Sequence, residues 1–214
     1  MSNGLDTGPV RCSWPTDDEQ YVAYHDGEWG RPTTDPTRLF EKICLEGFQA
    51  GLSWITILRK REHFRAAFAG FDPETVAGFG ESDVERLLGD AGIIRHRGKI
   101  EATINNAQRM IELVEAEGGG ASSFVDWVWS WAVLEPTRVS DDDAAFPGGI
   151  PALTARSSAL SKELKRRGWK FVGPTTAYAF MQSEGLTNDH DDTCFVHADC
   201  EAERTTFLAG RTLR

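Results

Sequence analysis

No stretch of this 214-residue chain comes near the roughly 18 consecutive apolar residues that a membrane-spanning helix needs, so no membrane association is expected. Residues 1–10 (MSNGLDTGPV) lack both a cationic start and an apolar core, and no signal peptide is expected. Cysteine is scarce. Four residues, two of them close to histidines, read as thiols and metal ligands in a reducing compartment rather than as a disulfide framework, with the cytoplasm as the default location. Positive charge is also short. A formal net charge of −10 argues against a protein that binds nucleic acid over its whole surface.

What is present is an ordinary globular composition, 40% hydrophobic and 26% charged, long enough for one domain with a full core or two small lobes around a cleft. The cations gather in three short clusters: Arg59-Lys60-Arg61, Arg95-His96-Arg97 with Lys99, and Lys165-Arg166-Arg167 with Lys170. Such segregation suits a phosphate-facing side on an acidic body, and equally suits solvated helix ends whose cations complement the helix dipole.

The texture is helical nearly throughout. Thr16 before Asp17, Asp18 and Glu19 reads as the capped start of a helix through Tyr21, Tyr24 and His25. Asp35-Pro36 opens a second, and an apolar pattern from Leu52 carries Trp54, Ile55, Leu58, Phe64 and Phe68. Asp72-Pro73 and a capping box, Ser82 with Glu85, open two short helices. From Gly98 the residues Ile100, Ile104, Ala107, Ile111 and Val114 form the clearest amphipathic stripe. The run FVDWVWSW fits strand or helix by period; with no second strand to pair with, helix is expected. Residues 136–152 read as a long loop. Helices follow from about Thr154 to Arg167 and from Pro174 to Gly185, while the first ten residues and the segment after about Cys200 are expected to be loosely ordered.

Three constellations carry chemistry. Cys12 with His25, and His190 with Cys194, make a two-sulfur, two-nitrogen set of the kind that closes a structural zinc site. His190 and Cys194 would share a face if they lay on a helix. His197 and Cys200 compete as ligands, and buried thiols with surface histidines remain the alternative. The second constellation, Lys165 to Tyr178, reads as helix, tight turn, then helix from Gly173-Pro174, where free amides can hold a phosphate oxygen, though these residues alone fit better an ordinary connection within a helical bundle. The third is Cys44-Leu-Glu-Gly-Phe-Gln-Ala-Gly-Leu-Ser-Trp54. Glu46 lies among apolar and small residues, where an unpaired carboxylate is costly, and Gly47, Ala50 and Gly51 leave room nearby. Trp54, with Trp14, Tyr21 and Tyr24, can wall a site for a flat, cationic ring. The alternative for Glu46 is a core acid paired with an arginine.

Taken together, Cys12-x-Trp14, Tyr21-x-Ala-Tyr-His-Asp-x-Glu-Trp-Gly30, Cys44 to Trp54, Asp90-Ala-Gly-Ile-Ile-Arg-His-Arg-Gly-Lys-Ile100 and Lys170-Phe-Val-Gly173 strongly resemble the 3-methyladenine DNA glycosylase I family, the constitutive Tag type. The likeness runs in order from about Arg11 to Cys194, and the runs are too long and idiosyncratic for chance.

The resemblance implies an all-α, two-lobed helix-hairpin-helix glycosylase over residues 11–194, flanked by an N-terminal extension (1–10) and a C-terminal tail (195–214) without assigned role. It implies structural Zn²⁺ on Cys12, His25, His190 and Cys194, joining the two ends of the chain. The base site maps onto Trp14, Tyr21, Tyr24, Glu46 and Trp54, with Glu46 as the catalytic carboxylate. The hairpin falls on Gly168, Lys170 and Gly173, and Leu52, after a glycine, is the candidate wedge into DNA. Thr175 stands where related glycosylases carry a nucleophilic lysine, so hydrolysis without strand cleavage is expected. Asp189, Asp191 and Asp192 fall near the position of an aspartate that this family lacks. The partners implied are double-stranded alkylated DNA and released 3-methyladenine, acted on by a monomer. Two rival readings, a zinc-stapled DNA-binding module without catalysis and a helical binder of small cations, need more coincidences.

Overall fold

The computed structural model describes residues 8–120, 122–134 and 150–212. Its elements run α1 (Glu19–Gly27), α2 (Pro36–Gln49), α3 (Trp54–Leu58), α4 (Arg61–Ala67), a 3₁₀ turn (Ala69–Phe71), α5 (Pro73–Ala77), α6 (Glu81–Gly89), α7 (Arg97–Ala116), α8 (Ser123–Trp129), α9 (Ala155–Arg166), α10 (Pro174–Ser183) and α11 (His197–Leu208). No strand occurs among the described residues, as the sequence leads one to expect, and no helix there is long and apolar enough to cross a membrane. Residues 1–7 and most of the expected loop at 136–152 lie outside the described residues.

Short polar side chains set four of the helix starts. Asp18, not Thr16, caps α1, its carboxylate accepting the Tyr21 amide at 3.0 Å. Asp35 accepts the Thr37 and Arg38 amides ahead of α2, with Pro36 in the first turn, where its missing N–H costs nothing. Asp72 caps α5, and Thr154 and Ser157 close a reciprocal box at α9. The expected Ser82–Glu85 box does not form. Helix α6 starts at Glu81, and Asp83 accepts the Gly80 amide at 3.1 Å. The apolar pattern after Leu52 is two helices, α3 and α4, broken at Arg59-Lys60. FVDWVWSW is helical over α8, which buries Phe124, Val125, Trp127, Val128 and Trp129.

Ten consecutive residues of α2, Leu39 to Phe48, are buried, and they include Glu41, Lys42 and Glu46. A helix buried all round is a central strut. Helices α7 and α10 pack against it, α5 and α6 lie against α7, and α9 pairs with α10. One continuous apolar cluster reaches from Tyr24 to Leu208; a smaller one joins Cys12, Cys194, Val196 and Cys200.

His190 and Cys194 lie on no helix: the chain there is a turn, closed by the Cys194 amide on Asp191 O at 2.7 Å. Against expectation, residues 201–208 are not loose but part of α11, with Cys200, Arg204 and Leu208 buried. Arg204 donates to Gly185 O and Val133 O, each at 2.6 Å, and Phe207 packs at a tilt against Trp129 with centroids 4.3 Å apart. A guanidinium satisfied by three carbonyls anchors this helix where apolar periodicity is weak.

Candidate active site

The groove between α1–α3 and α10 holds a slot of about 250 Å³, lined by Trp14, Tyr21, Tyr24, Trp29, Glu46, Gln49, Trp54, Ile150, Ala179 and Gln182. All five residues read from the sequence as a base site are in this lining. The volume is below the roughly 300–1,000 Å³ usual for drug-sized ligands and suits a single small ring system. Trp14 packs on Tyr21 with centroids 5.0 Å apart, and Tyr24 on Trp54 at 5.5 Å, so the aromatic walls brace one another.

Glu46 is 5% exposed. Its partner is not an arginine but Lys42, one turn earlier on α2, with Nζ 3.3 Å from Oε1. Burial pushes the Glu46 carboxyl above the usual carboxylate range, and the Lys42 charge works against that rise. Burial and the Glu46 charge likewise raise Tyr21 and Tyr24, which stay neutral phenols able to donate. The ion pair does not close the site, because the slot remains open beside it.

At the mouth a second space of about 210 Å³ is lined by Glu46, Gln49, Ala50, Gly51, Leu52, Thr175, Thr176 and Ala179. Leu52 and Thr175 therefore both line the mouth of the slot, and Leu52 is 42% exposed. The loop that carries Leu52 is held by Lys99, whose ammonium donates to Phe48 O at 2.8 Å and Ala50 O at 2.7 Å. Lys99 is thus a buried helix cap and not a member of a phosphate-facing cluster. Arg97 is also committed, to Glu81, Glu85 and Glu101. Gly47 has a different use from the one expected. A Cβ there would lie 3.3 Å from Phe171, so the missing side chain admits the α9–α10 turn rather than a ligand.

That turn carries Gly168 and Lys170, both exposed, and Gly173 at the α10 N-cap. Asn105 donates to Gly168 O at 2.9 Å, while Asn106 donates to Lys170 O and accepts its amide at 2.8 Å. Gly168 has φ +82°, a left-handed conformation that ends α9 at no steric cost for glycine. Asp189 accepts from Tyr178, Gln182 and Thr187. Asp191 lines the widening beyond the slot, and Asp192 pairs with His197 at 3.8 Å.

Behind Trp14, the ligand atoms of Cys12, His25, His190 and Cys194 all lie within 4.8 Å of one another, and all four residues are buried. Cys12 Sγ is 3.5 Å from His190 Nδ1, and Cys194 Sγ is 3.5 Å from His25 Nε2. A tetrahedral ion with bonds of about 2.0–2.3 Å needs ligand separations of this size. The outward ring nitrogens are also occupied, His25 Nδ1 by Asp26 Oδ1 at 2.8 Å and His190 Nε2 by Trp29 O at 3.1 Å. Such outer partners fix the tautomer that leaves the inner nitrogen free to ligate. Cys200 and His197 are not in the group.

The sequence reading missed Trp29, Gln49, Ile150, Ala179 and Gln182. Trp29 sat inside a recognised run without a role, and Gln182 and Ala179 are ordinary residues on an α10 face that only the packing turns toward the slot.

A methyladenine glycosylase family model matches residues 14–197. The chain is 54% identical over 184 residues to DNA-3-methyladenine glycosylase 1 of Escherichia coli K12, covering 86% of this chain and 95% of that one. It is similar to a crystal structure of 3-methyladenine DNA glycosylase I with a TM-score of 0.79 and 54% identity, over 88% of this chain and all of the other. A variant of such an enzyme solved in complex with 3-methyladenine aligns with a TM-score of 0.75 at 34% identity, over 86% and 96% of the two chains. With a family model matched over most of its length and this degree of identity, the chain belongs to the methyladenine glycosylase family.

Proposed function

We propose that this protein hydrolyses the N-glycosidic bond of 3-methyladenine in alkylated double-stranded DNA, releasing the free base and leaving an abasic site. The observation that carries the reading is the aromatic slot with the Glu46 carboxylate in its wall, sized for one base. A purine methylated at N3 is cationic in the strand and leaves neutral. The electron pair of the C1′–N9 bond returns to the ring, water adds at C1′ and then loses its proton, and no acid is needed to protonate the leaving group. Glu46 accepts hydrogen bonds from the amino edge of an extruded base, which favours adenine over guanine-like edges. Trp14, Tyr21, Tyr24 and Trp54 enclose its faces, and Leu52 fills the space that the base vacates. The hairpin at Gly168, Lys170 and Gly173, with Thr175 after it, grips the strand in a helix-hairpin-helix arrangement. Thr175 offers no amine for a Schiff base, so the enzyme is monofunctional.

Zn²⁺ suits the four-ligand cluster, where it supplies folding free energy and leaves the chemistry to the slot. The deciding assay incubates the protein with methylated DNA and chromatographs what is released. Free 3-methyladenine supports the reading, and duplex binding with no released base refutes it in favour of a non-catalytic module.

A further inference from the structure

Phe71 and Phe171 both take left-handed backbone angles, at φ +58° and φ +55°. The β-carbon of an L-residue crowds the backbone there, so a bulky side chain holds such an angle at a cost that glycine avoids. Burial answers that cost at Phe71, which is enclosed and stacks on Phe68 with centroids 5.5 Å apart. Phe171 lacks that compensation. It is 40% exposed, in the turn between α9 and α10.

The surrounding turn leaves Phe171 little freedom. Its neighbours are tied on both sides, Lys170 by amide and carbonyl to Asn106, and Val172 by its carbonyl, which accepts the Ser161 hydroxyl at 2.7 Å. Its own Cβ sits against Gly47 of α2. The ring reaches the first turn of α7: a Cβ on Gly98 would lie 3.9 Å from Cε2, and His96 stands edge-on with centroids 6.2 Å apart. His96 is itself fixed, its Nδ1 accepting the Lys99 amide at 3.2 Å. The same α7 turn holds the loop of Leu52 through the Lys99 ammonium, so two exposed apolar side chains, Leu52 and Phe171, are braced from one point. Exposed cations border the ring: Lys170 precedes Phe171 in the chain, and Arg95 precedes His96.

We propose that Phe171 is a DNA-contact residue whose ring packs on a deoxyribose of the duplex, outside the base slot, with Lys170 and Arg95 answering the phosphates on either side. The inference rests on the excision reading above. A deoxyribose is uncharged and offers an apolar face, while the phosphates that flank it call for cations. An exposed aromatic ring bordered by a lysine and an arginine repeats that alternation. Bracing by Gly47, Gly98 and His96 sets the ring in place before DNA arrives, so little side-chain freedom is lost on binding. Glycine at this position would relax the backbone but supply no surface to bind with. That trade accounts for a bulky residue standing where the backbone favours glycine.

The test compares the full wild-type chain with Phe171→Gly, Phe171→Leu and Lys170→Gln, using as probe a duplex that carries a tetrahydrofuran abasic analogue. Phe171→Gly loses ring contacts but relieves the left-handed angle, so its melting temperature should stay close to that of the wild type. Its affinity for free 3-methyladenine, read by tryptophan fluorescence, should not change. Its Kd for the duplex, read by anisotropy, should rise about tenfold. Because the contact is uncharged, the slope of log affinity against log salt should match the wild type, whereas Lys170→Gln should lower that slope by about one. Phe171→Leu keeps an apolar side chain and should regain most of the affinity. In excision, Phe171→Gly should raise KM and leave kcat level. Wild-type duplex affinity in Phe171→Gly overturns the proposal, and so does a loss that binding of free 3-methyladenine shares, the mark of a structural defect. A wild type that releases no 3-methyladenine from methylated DNA would remove the excision reading instead, a result separate from the duplex comparison.

Discussion

A carboxylate as deeply placed as Glu46 costs free energy unless something answers its charge, and Lys42 does so from the same face of α2. This makes a specific expectation for the neutral isostere. Glu46→Gln keeps the side chain's volume but leaves the buried Lys42 ammonium without its counter-charge, so it should fold with a lowered melting temperature and should cut excision of 3-methyladenine on the order of a hundredfold. The measurement is single-turnover base release beside circular dichroism, and full activity in the variant would take Glu46 out of the mechanism. The acid itself was readable in the sequence because an isolated Glu in an apolar run is expensive. The alternative reading paired it with an arginine, whereas its partner is Lys42 at the i−4 position. Gln182, Ala179 and Ile150 had no such signal, since nothing local in those segments marks a surface that packing brings to the slot from the other end of the sequence.

At the scale of elements, helix starts were legible where an aspartate precedes proline, as at Asp35 and Asp72. They were misplaced where several candidate caps crowd together, as at Thr16 to Asp18 and at Gly80 to Glu85. Competing side chains differ there by amounts smaller than a single tertiary contact. Helix α11 escaped notice because Arg204, not an apolar stripe, fixes it. The last turn of α9 allows a quantitative check. Arg166 and Arg167 both donate to Glu163 and hold its carboxyl down at about 2 from the usual 4.5. A carboxyl depressed in the folded state adds stability that is fully present above its unfolded value and is lost as pH falls toward its folded one. Chemical denaturation of wild type and Glu163→Gln should therefore differ above about pH 5, by on the order of 1 kcal/mol, and converge near pH 2. A gap that persists at pH 2 would show that packing, not charge, sets the difference.

For the molecule as a whole, the decisive feature is that residues 12 and 25 are tied to residues 190 and 194 at the back of the slot, where Trp14 packs on His25 at 5.2 Å. If the cluster holds Zn²⁺, Cys194→Ser should release it and lower the melting temperature by several degrees. A strong chelator should do the same to the wild type, because the ion binds the folded chain only. Metal analysis that finds no zinc in the purified protein would end that view. The tie also has a temporal side. Cys194 is separated by 169 residues from His25, so a growing polypeptide carries half of the four-residue cluster for on the order of ten seconds before the other half leaves the ribosome. Throughout that wait the Cys12 thiol lacks the burial that leaves it 6% exposed in the folded chain.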